Sequence, residues 1–295
     1  MWDIVRLTRS DIIAWLREQD PARQADLWRQ ADQGRQEHVG DVVHLRGLLE
    51  ISNHCDRDCL YCGLRTANDQ IVRYRMSGQE ILEGAHEAVD RGYGTVVLQS
   101  GEDPGLDFDE FCQVVRSIKT QTPLAVTLSL GELCDDDLAA LRRAGADRYL
   151  LRFETSNEAL FQEIHPLKTG EEGGQRKRLL YRLREFGFEV GSGVMVGLPG
   201  QSLGDLATDI EMFAKFDLDM IGLGPYIPHP DTPLGGGKQL ERGTKTLSGD
   251  QARPDELTTC KMIALARLVC PNANIPSTTA LSTINPEQGQ VLGLQ

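Results

Sequence analysis

Short apolar runs alternate with amphipathic stretches along the chain from residue 44 onward. Six of these runs have the length and composition of buried strands, and they span residues 44–51, 95–99, 124–130, 148–152, 189–196 and 220–223. A shorter seventh candidate spans residues 274–277. The stretches between them have the pattern of helices and span residues 77–91, 108–120, 135–144, 175–186, 203–216 and 255–269. Such alternation predicts an α/β fold with a parallel sheet. Seven units fit a TIM-type (β/α) barrel or part of one, and an open doubly wound sheet stays an alternative.

The residues outside this alternation suggest how the chain is organised. Residues 1–40 predict an N-terminal helical extension of two helices, with Pro21 starting the second. Residues 41–295 then form the barrel domain. Within it, residues 235–254 are rich in glycine and charge and predict a flexible surface loop. Because the sequence ends soon after the seventh strand candidate, we expect a barrel that is incomplete at its C-terminal side.

Composition and charge narrow the classes of partner. Lysine and arginine total 31 and aspartate and glutamate total 44, which gives a formal net charge of −13. This excess of negative charge argues against a nucleic-acid partner, because phosphate binding needs clustered basic residues. No apolar run approaches the roughly 18 residues that a membrane helix needs, so we expect no membrane association. The first residues lack the apolar segment of a secretory signal, and we expect a cytoplasmic protein.

Three of the seven cysteines form a C-x3-C-x2-C motif directly after the first strand candidate: Cys55, Cys59 and Cys62. In a barrel this is the first βα loop, on the face where active sites are built. Three thiolates on one loop suit an iron–sulfur cluster with one iron left open. A zinc site stays an alternative, with His54 as fourth ligand, although His54 is too close to Cys55 for the usual zinc spacing. The other cysteines lie on predicted helices or helix starts and are interpreted as structural: Cys112, Cys134, Cys260 and Cys270.

The cysteine motif, with Tyr61 just before its last cysteine, resembles that of the radical S-adenosylmethionine (SAM) enzymes. Further segments resemble one branch of these enzymes, the HydE-like maturases of diiron hydrogenase, which are related to biotin synthase and methylornithine synthase: residues 98–104, 127–132, 147–155, 191–201, 222–233 and 274–279. The resemblance runs from about residue 40 to the end, apart from the loop at 235–254. It implies a complete or partial βα barrel, a [4Fe–4S] cluster and SAM as cofactors, and reductive cleavage of SAM to a 5′-deoxyadenosyl radical.

The resemblance also implies a set of cofactor-binding residues at the predicted strand ends: Tyr61, Ser100, Glu102, Ser129, Glu154, Arg176 and Met195. In this set Glu102 would hold the SAM amino group, Glu154 the ribose hydroxyls and Arg176 the SAM carboxylate. Other interpretations stay open. Glu102 could be an acidic residue that favours a helix start, and Arg176 could belong to a solvated run of basic residues.

A second set of residues is suited to a substrate: Thr127, Arg152, Thr278 and Thr279. An arginine fork with hydroxyl groups fits a small amino-acid-like carboxylate. The resemblance implies a small-molecule or iron–cysteine-type substrate, an electron donor such as ferredoxin or flavodoxin, and other hydrogenase maturases as partners. The implied function is assembly of the diiron hydrogenase active-site cofactor. The alternatives are a related mutase or sulfur-inserting enzyme, similar to methylornithine or biotin synthase, and a truncated, non-catalytic iron–sulfur or zinc-binding relative.

Overall fold

Six parallel strands pair in the order in which they occur along the chain. The computed structural model describes residues 7–168, 174–240 and 250–294. In this part the strands are β1 (Arg46–Ser52), β2 (Thr95–Ser100), β3 (Ala125–Ser129), β4 (Arg148–Leu150), β5 (Glu189–Val196) and β6 (Met220–Pro225). Each strand pairs in parallel with the next. A doubly wound sheet reverses its strand order, so the sequential order confirms a curled part of a (β/α) barrel.

The helices of the described residues follow the strands or precede the first of them. They are α1 (Arg9–Arg17), α2 (Pro21–His38), α3 (Gly78–Asp90), α4 (Phe108–Gln121), α5 (Asp135–Ala144), α6 (Glu158–Ile164), α7 (Gln175–Glu185), α8 (Leu203–Lys215), α9 (Glu256–Val269), α10 (Thr279–Ile284) and α11 (Gly289–Leu292). Within these ranges, no helix combines the length and the apolar character needed to cross a bilayer.

Local sequence signals explain where several helices begin. Ser77 caps α3 and Ser202 caps α8, each through a reciprocal pair of hydrogen bonds with the acidic residue three positions later. Pro21 occupies the first turn of α2, where its missing N–H has no intrahelical partner to lose. The two predicted N-terminal helices are therefore confirmed as α1 and α2.

The N-terminal helices pack against the last helices of the barrel. Arg9 donates a hydrogen bond to the Gly204 carbonyl at the start of α8 (2.8 Å), and the buried Lys261 amine of α9 donates to the Leu16 carbonyl of α1 (3.1 Å). Ile12 of α1 and Leu27 of α2 are fully buried in the same hydrophobic core as the barrel strands. The extension thus shares one core with the barrel.

The seventh predicted strand, 274–277, is wrong. Asn274 makes a single parallel bridge to Met220, in which its carbonyl accepts from the Ile221 N–H at 2.9 Å. Pro276 follows two residues later, and proline has no N–H to donate to a ladder. The chain instead turns into α10, a helix that the apolar pattern did not indicate. The short helices α6 and α11 were also missed.

Part of the predicted flexible loop at 235–254 lies outside the described residues, namely 241–249. On its C-terminal side, the Ala252 N–H donates to the Gln201 carbonyl (2.8 Å), and the Ala252 side chain is fully buried. The Asp250 carbonyl accepts from the Leu203 N–H at 3.0 Å. Residues 250–252 therefore anchor this segment to the start of α8.

The two faces of the sheet carry different side chains. On one face, Val96 and Leu98 of β2 are fully buried, as are Val126 and Leu128 of β3. Thr127 alternates with these residues, and it borders a small cavity with Arg148 of the neighbouring strand β4 and Met220 of β6. Successive side chains of a strand point to opposite faces of the sheet. Thr127 and the residues on its face therefore lie on the inside of the curled sheet.

Asp209 of α8 supplies a pH-dependent part of the stability. Its fully buried carboxylate accepts from the Ser156 N–H at 2.5 Å, and burial raises its pKa from 3.8 to about 7. The folded protein therefore keeps a proton on Asp209 that the unfolded chain releases near pH 4. Folded-state stability should accordingly fall as the pH rises from about 4 to about 7.

We expect Asp209→Asn to flatten this dependence, because the amide does not titrate. Melting temperatures measured between pH 5 and pH 8 should fall less for Asp209→Asn than for the parent. Glu83→Gln, on the exposed face of α3, is the control and should follow the parent. Parallel curves for Asp209→Asn and the parent would contradict the assignment.

Candidate active site

The loop after β1 carries three free thiols at the carboxyl ends of the strands. Cys59 is buried and Cys55 and Cys62 are half-buried. Backbone hydrogen bonds fix the loop to three other segments. The Asp56 N–H donates to the Glu102 carbonyl at 3.0 Å. The Leu60 N–H donates to the Ile164 carbonyl at 2.8 Å, and the Leu60 carbonyl accepts from the Leu234 N–H at 3.1 Å. The sulfur atoms are thus held by the fold rather than by the loop alone.

The three thiols influence one another. Burial raises the pKa of Cys59, and the neighbouring Cys62 and Cys55 thiols raise it further. Burial also raises the pKa of Cys62, and Cys55 adds to that effect. Binding a metal centre removes these protons, because a thiolate is the ligand form of cysteine. The donor set is therefore three thiols on one loop, close enough to affect one another's pKa, which suits an iron–sulfur cluster with one open iron.

The spacing of the sulfur atoms weighs against a single zinc ion. Among residues 7–168, 174–240 and 250–294, the one group of three His, Cys, Asp or Glu ligand atoms within 4.8 Å of one another is Glu102, Glu132 and His165. A tetrahedral zinc ion with Zn–S bonds of about 2.3 Å would hold its sulfurs about 3.8 Å apart. The three cysteine sulfurs do not all lie within 4.8 Å of one another, so the loop is not arranged around one tetrahedral zinc ion.

An ion-pair network connects the cysteine loop to the ends of β2 and β3. Arg57 pairs with Glu102 (Nε to Oε2, 2.5 Å), and Arg176 pairs with both Glu102 (Nη2 to Oε1, 3.0 Å) and Glu132 (Nε to Oε1, 2.9 Å). All four side chains are at most 11% exposed. Burial raises the pKa of Glu102, and the two guanidinium groups oppose that rise. Because the carboxylates are already neutralised by arginines, this group is not a divalent-cation site.

Arg176, predicted from the resemblance to meet the SAM carboxylate, is buried and not part of a solvated basic run. Besides its two carboxylate partners, it donates to the Arg152 carbonyl at 3.1 Å. Glu102, predicted to hold the SAM amino group, is its partner, and Ser100 ends β2 just before it. The structure thus brings an anionic and a cationic group together beside the cysteine loop. Their contacts with SAM stay predictions.

Glu154 has an unusual backbone conformation, with φ of 62°. Its N–H donates to the Gly193 carbonyl and its carbonyl accepts from the Met195 N–H, both at 3.1 Å. These bonds hold Glu154 against β5 after β4 has ended. Backbone strain of this kind is often found at ligand sites. The conformation places Glu154 and Met195, two predicted SAM residues, next to each other.

An apolar patch lies beside these residues. Tyr61 and Met195 pack against a buried cluster that consists of Leu60, Leu160, Ile164, Leu198, Tyr226 and Leu234. Burial raises the pKa of the Tyr61 phenol well above its usual value, so the hydroxyl stays protonated. An apolar surface with backbone groups at the end of β5 suits a flat purine ring such as adenine.

Three candidate substrate residues and the predicted SAM residue Glu154 carry buried polar atoms without hydrogen-bond partners. In the described part of the chain, these are Thr127 Oγ1, Arg152 Nε and Nη2, Glu154 Oε2 and Thr278 Oγ1. Arg152 Nε and Glu154 Oε2 form an ion pair at 3.2 Å that lacks hydrogen-bond geometry. A buried polar atom left unpaired costs about 1–3 kcal/mol. Four side chains bearing this cost indicate that a ligand completes their hydrogen bonding.

Two other predicted residues are placed differently. Thr279 opens α10 and is exposed, whereas Thr278 lies against β6, close to Gly224. Ser129 pairs in register with Gln99 on the inner face of the sheet, one strand away from Ser100. The structure thus groups Thr127, Ser129 and Thr278 with the barrel interior and leaves Thr279 at its rim.

Several residues of the site were missed by reasoning from the sequence. They are Arg57 and Glu132 of the ion-pair network, His165 at the end of α6, and Tyr226, whose buried hydroxyl has no hydrogen-bond partner in the described residues. Burial, and then the positive charges of Arg176, Arg57 and Lys168, lower the pKa of His165 to about 2, so its imidazole is neutral. Arg57 lies inside the cysteine motif and Glu132 and Tyr226 inside the family-like segments, but no spacing rule singles them out.

Gly101 provides a steric test of the site. A Cβ at this position would overlap the His54 carbonyl oxygen and lie 2.6 Å from Cys55 Cβ. We expect Gly101→Ala to push the cysteine loop away from β2, with a cost of about 1–3 kcal/mol from overpacking, and to lower the iron content after reconstitution.

Gly94→Ala is the matched control, because a Cβ there meets nothing within 4 Å. Iron analysis and the visible absorption of the reconstituted proteins provide the measurement. Equal cluster content in Gly101→Ala and Gly94→Ala would show that the loop does not depend on this close approach.

Known proteins share both the sequence pattern and the fold. The pattern that defines the Radical SAM superfamily matches residues 49–213. The chain is 46% identical over 249 residues to the [FeFe] hydrogenase maturase subunit HydE of Thermotoga maritima, an alignment that covers 84% of this chain and 66% of that protein. The chain therefore spans just under two thirds of that relative's length.

Methylornithine synthases are similar over more of the chain. The 3-methylornithine synthase of Methanosarcina acetivorans is 25% identical over 282 residues, which cover 95% of this chain and 75% of that protein. The crystal structure of methylornithine synthase (PylB) superposes with a TM-score of 0.82 at 25% identity and covers 98% of this chain and 80% of that one. The likeness confirms the partial barrel.

The superfamily implies a [4Fe–4S] cluster and SAM, and the site fits both groups. The three thiols of the loop match the chemistry of the cluster. The neighbouring Glu102 and Arg176 match the charged end of SAM, and the apolar patch at the end of β5 matches its adenine. The defining pattern covers more than half of the 295 residues. The chain belongs to the radical SAM superfamily.

Proposed function

We propose that the chain is the catalytic core of a HydE-type maturase, an enzyme that acts in the assembly of the diiron hydrogenase active site. The observation that carries this proposal is the 46% identity with HydE over 84% of the chain. The described geometry supports it, because the predicted cofactor residues and most of the predicted substrate residues lie at one end of the partial barrel or inside it.

Cys55, Cys59 and Cys62 hold the cluster in this proposal. When bound, the cluster and SAM together supply a 5′-deoxyadenosyl radical. The charged end of SAM lies against the ion pair of Glu102 and Arg176, which are 3.0 Å apart and carry opposite charges. Glu154 accepts the ribose hydroxyls, because its Oε2 atom is buried without a hydrogen-bond partner in the described residues. Tyr61 and Met195 border the adenine, and Ser100 and Ser129 contribute hydroxyls at the strand ends.

Arg152, Thr127 and Thr278 bind the substrate through a carboxylate. Their unpaired atoms are donors, or hydroxyl groups that can donate, and a carboxylate accepts several such bonds at once. The exposed Thr279 contributes from the rim. The substrate class is therefore a small amino-acid-like molecule or an iron–cysteine-type compound, held so that one of its atoms faces the radical and water is excluded.

The proposed cycle needs a source of electrons and a recipient of the product. A low-potential electron carrier such as ferredoxin or flavodoxin supplies the electron, and other hydrogenase maturases supply the substrate or accept the product. We place the reaction in the cytoplasm.

A second candidate is an amino-acid mutase similar to methylornithine synthase. The PylB structure favours it, since that superposition covers 98% of this chain. The substrate residues proposed above would serve either reaction, because both candidates need a carboxylate clamp. The product formed by the purified enzyme separates the two.

The test is reconstitution of the protein with iron and sulfide under anaerobic conditions, followed by incubation with SAM and dithionite. We expect a cluster spectrum and formation of 5′-deoxyadenosine. In a mixture with the other maturases and the unmatured hydrogenase, omission of this chain should abolish hydrogenase activation. Cleavage of SAM without any effect on hydrogenase, together with formation of 3-methylornithine, would favour the mutase. Absence of SAM cleavage would refute both.

A further inference from the structure

His165 lies directly against one of the cluster cysteines. It is the residue that ends α6, and it is 2% exposed. Its Nδ1 atom is 2.9 Å from Cys59 Sγ. Phe161 stacks on the imidazole, with ring centroids 4.9 Å apart and planes inclined by 28°. The ring is thus fixed by packing as well as by its polar contact.

The contact on the other side of the ring identifies the tautomer. His165 Nε2 is 3.2 Å from Arg176 Nη2. A guanidinium group donates hydrogen bonds and accepts none, so Nε2 must be the accepting nitrogen. In a neutral imidazole the proton is then on Nδ1, which donates to the Cys59 sulfur. Arg176 is itself held by Glu102 and Glu132, so the donor that selects this tautomer cannot rotate away freely.

The same argument disfavours coordination of a metal by His165 through Nδ1. Coordination through Nδ1 would require a lone pair there, and the proton would move to Nε2. The Nε2–H group would then point at an N–H group of Arg176. This geometry disfavours a closed zinc site of three cysteines and His165 and leaves the imidazole as a hydrogen-bond donor.

We propose that His165 is a positioning residue for the iron–sulfur cluster, which donates its Nδ1–H to the Cys59 sulfur and makes the cluster easier to reduce. The added electron increases the negative charge on the ligating sulfurs, so an N–H···S bond stabilises the reduced form more than the oxidised form. The inference rests on Cys55, Cys59 and Cys62 holding the cluster, as in the proposed function. It does not depend on the substrate.

The test compares the reduction potential of the reconstituted cluster, without SAM, in three variants. His165→Leu removes the donor. His165→Asn retains an N–H group near the position of Nδ1. His86→Leu, on the exposed face of α3, is the control. At a fixed potential we expect His165→Leu to lower the ratio of reduced to oxidised cluster about tenfold, a shift of about 59 mV for one electron. His165→Asn should recover most of this loss, and His86→Leu should match the parent.

A second measurement covers the case in which His165→Leu does not load a cluster. The parent is labelled with 15N in its six histidines and studied by pulsed electron paramagnetic resonance in the reduced state. We expect a weak nitrogen coupling, typical of a hydrogen bond to a cluster sulfur. No coupling, or a strong coupling from a directly bound nitrogen, would overturn the proposal.

The redox outcomes separate this proposal from the proposed function. If His165→Leu binds the cluster and keeps the reduction potential of the parent, the proposed role of His165 is refuted. The same holds if His165→Asn has the same potential as His165→Leu. Either result leaves the cluster assignment intact. A parent that binds zinc and forms no iron–sulfur cluster refutes the cofactor assignment itself.

Discussion

We expect Cys59→Ala to abolish the cluster and, with it, the cleavage of SAM. Cys59 is the most buried of the three thiols, and its sulfur contacts His165 Nδ1 at 2.9 Å. Two cysteines cannot hold a cluster that needs three protein ligands. We expect reconstituted iron to fall to background, and SAM cleavage to fall by more than the roughly 10- to 100-fold that outer-shell substitutions cause. Cys55→Ala and Cys62→Ala should behave in the same way.

Cys134→Ala is the matched control, because Cys134 is exposed at the start of α5 and makes no capping hydrogen bond. Its iron content and SAM cleavage should equal those of the parent. Iron and sulfide analysis, absorption spectra and 5′-deoxyadenosine formation are measured on all four variants. A full cluster in Cys59→Ala would remove the structural basis of the proposed function.

The strands that define the barrel could be predicted because each is a local pattern. A buried parallel strand is a short apolar run, and a helix start carries a capping residue such as Ser77 or Ser202. The wrong prediction of a strand at 274–277 also has a local cause. Asn274 does join β6, but Pro276 cannot extend the ladder. Pro276 has no N–H to donate, so the pairing stops after the single bridge at Asn274.

The cysteine motif was visible for a different reason. Three ligands on one loop are close in sequence, so their spacing alone carries the chemistry. Arg57, Glu132 and His165 come from three different segments, and their contacts with Glu102, Arg176 and Cys59 span 44 to 106 residues along the chain. No periodicity encodes contacts between distant loops. Those residues could be found only after the strand order had brought the loops together.

The conformation of Glu154 is a second feature of the site that depends on contacts between distant parts of the chain. The run at 148–152 predicts a strand, and β4 ends at Leu150 because the following residues leave the ladder. Glu154 then adopts a positive φ, which a non-glycine residue seldom does. The bonds to Gly193 and Met195 of β5 compensate for it. Only a tertiary contact explains this conformation, so it could not be predicted from local sequence.

Arg152→Lys should separate SAM cleavage from hydrogenase maturation. Arg152 has two buried nitrogen atoms without hydrogen-bond partners in the described part of the chain, and these can bind a carboxylate through two parallel bonds. Lysine retains the positive charge beside Glu154 but cannot form the fork. The cluster and SAM affinity should therefore be unchanged. Loss of a charged hydrogen bond, about 1.5–3 kcal/mol, should weaken substrate positioning about 10- to 100-fold.

The measurement is the amount of 5′-deoxyadenosine formed per hydrogenase molecule activated. In Arg152→Lys this ratio should rise, because SAM is still cleaved while the substrate atom is no longer held against the radical. Arg91→Lys, an exposed arginine after α3 that pairs with Glu87, should keep the parent ratio. If Arg152→Lys also kept it, the ion pair with Glu154 would be the whole role of Arg152. The substrate carboxylate would then have to bind through Thr127 and Thr278, the remaining buried groups without partners.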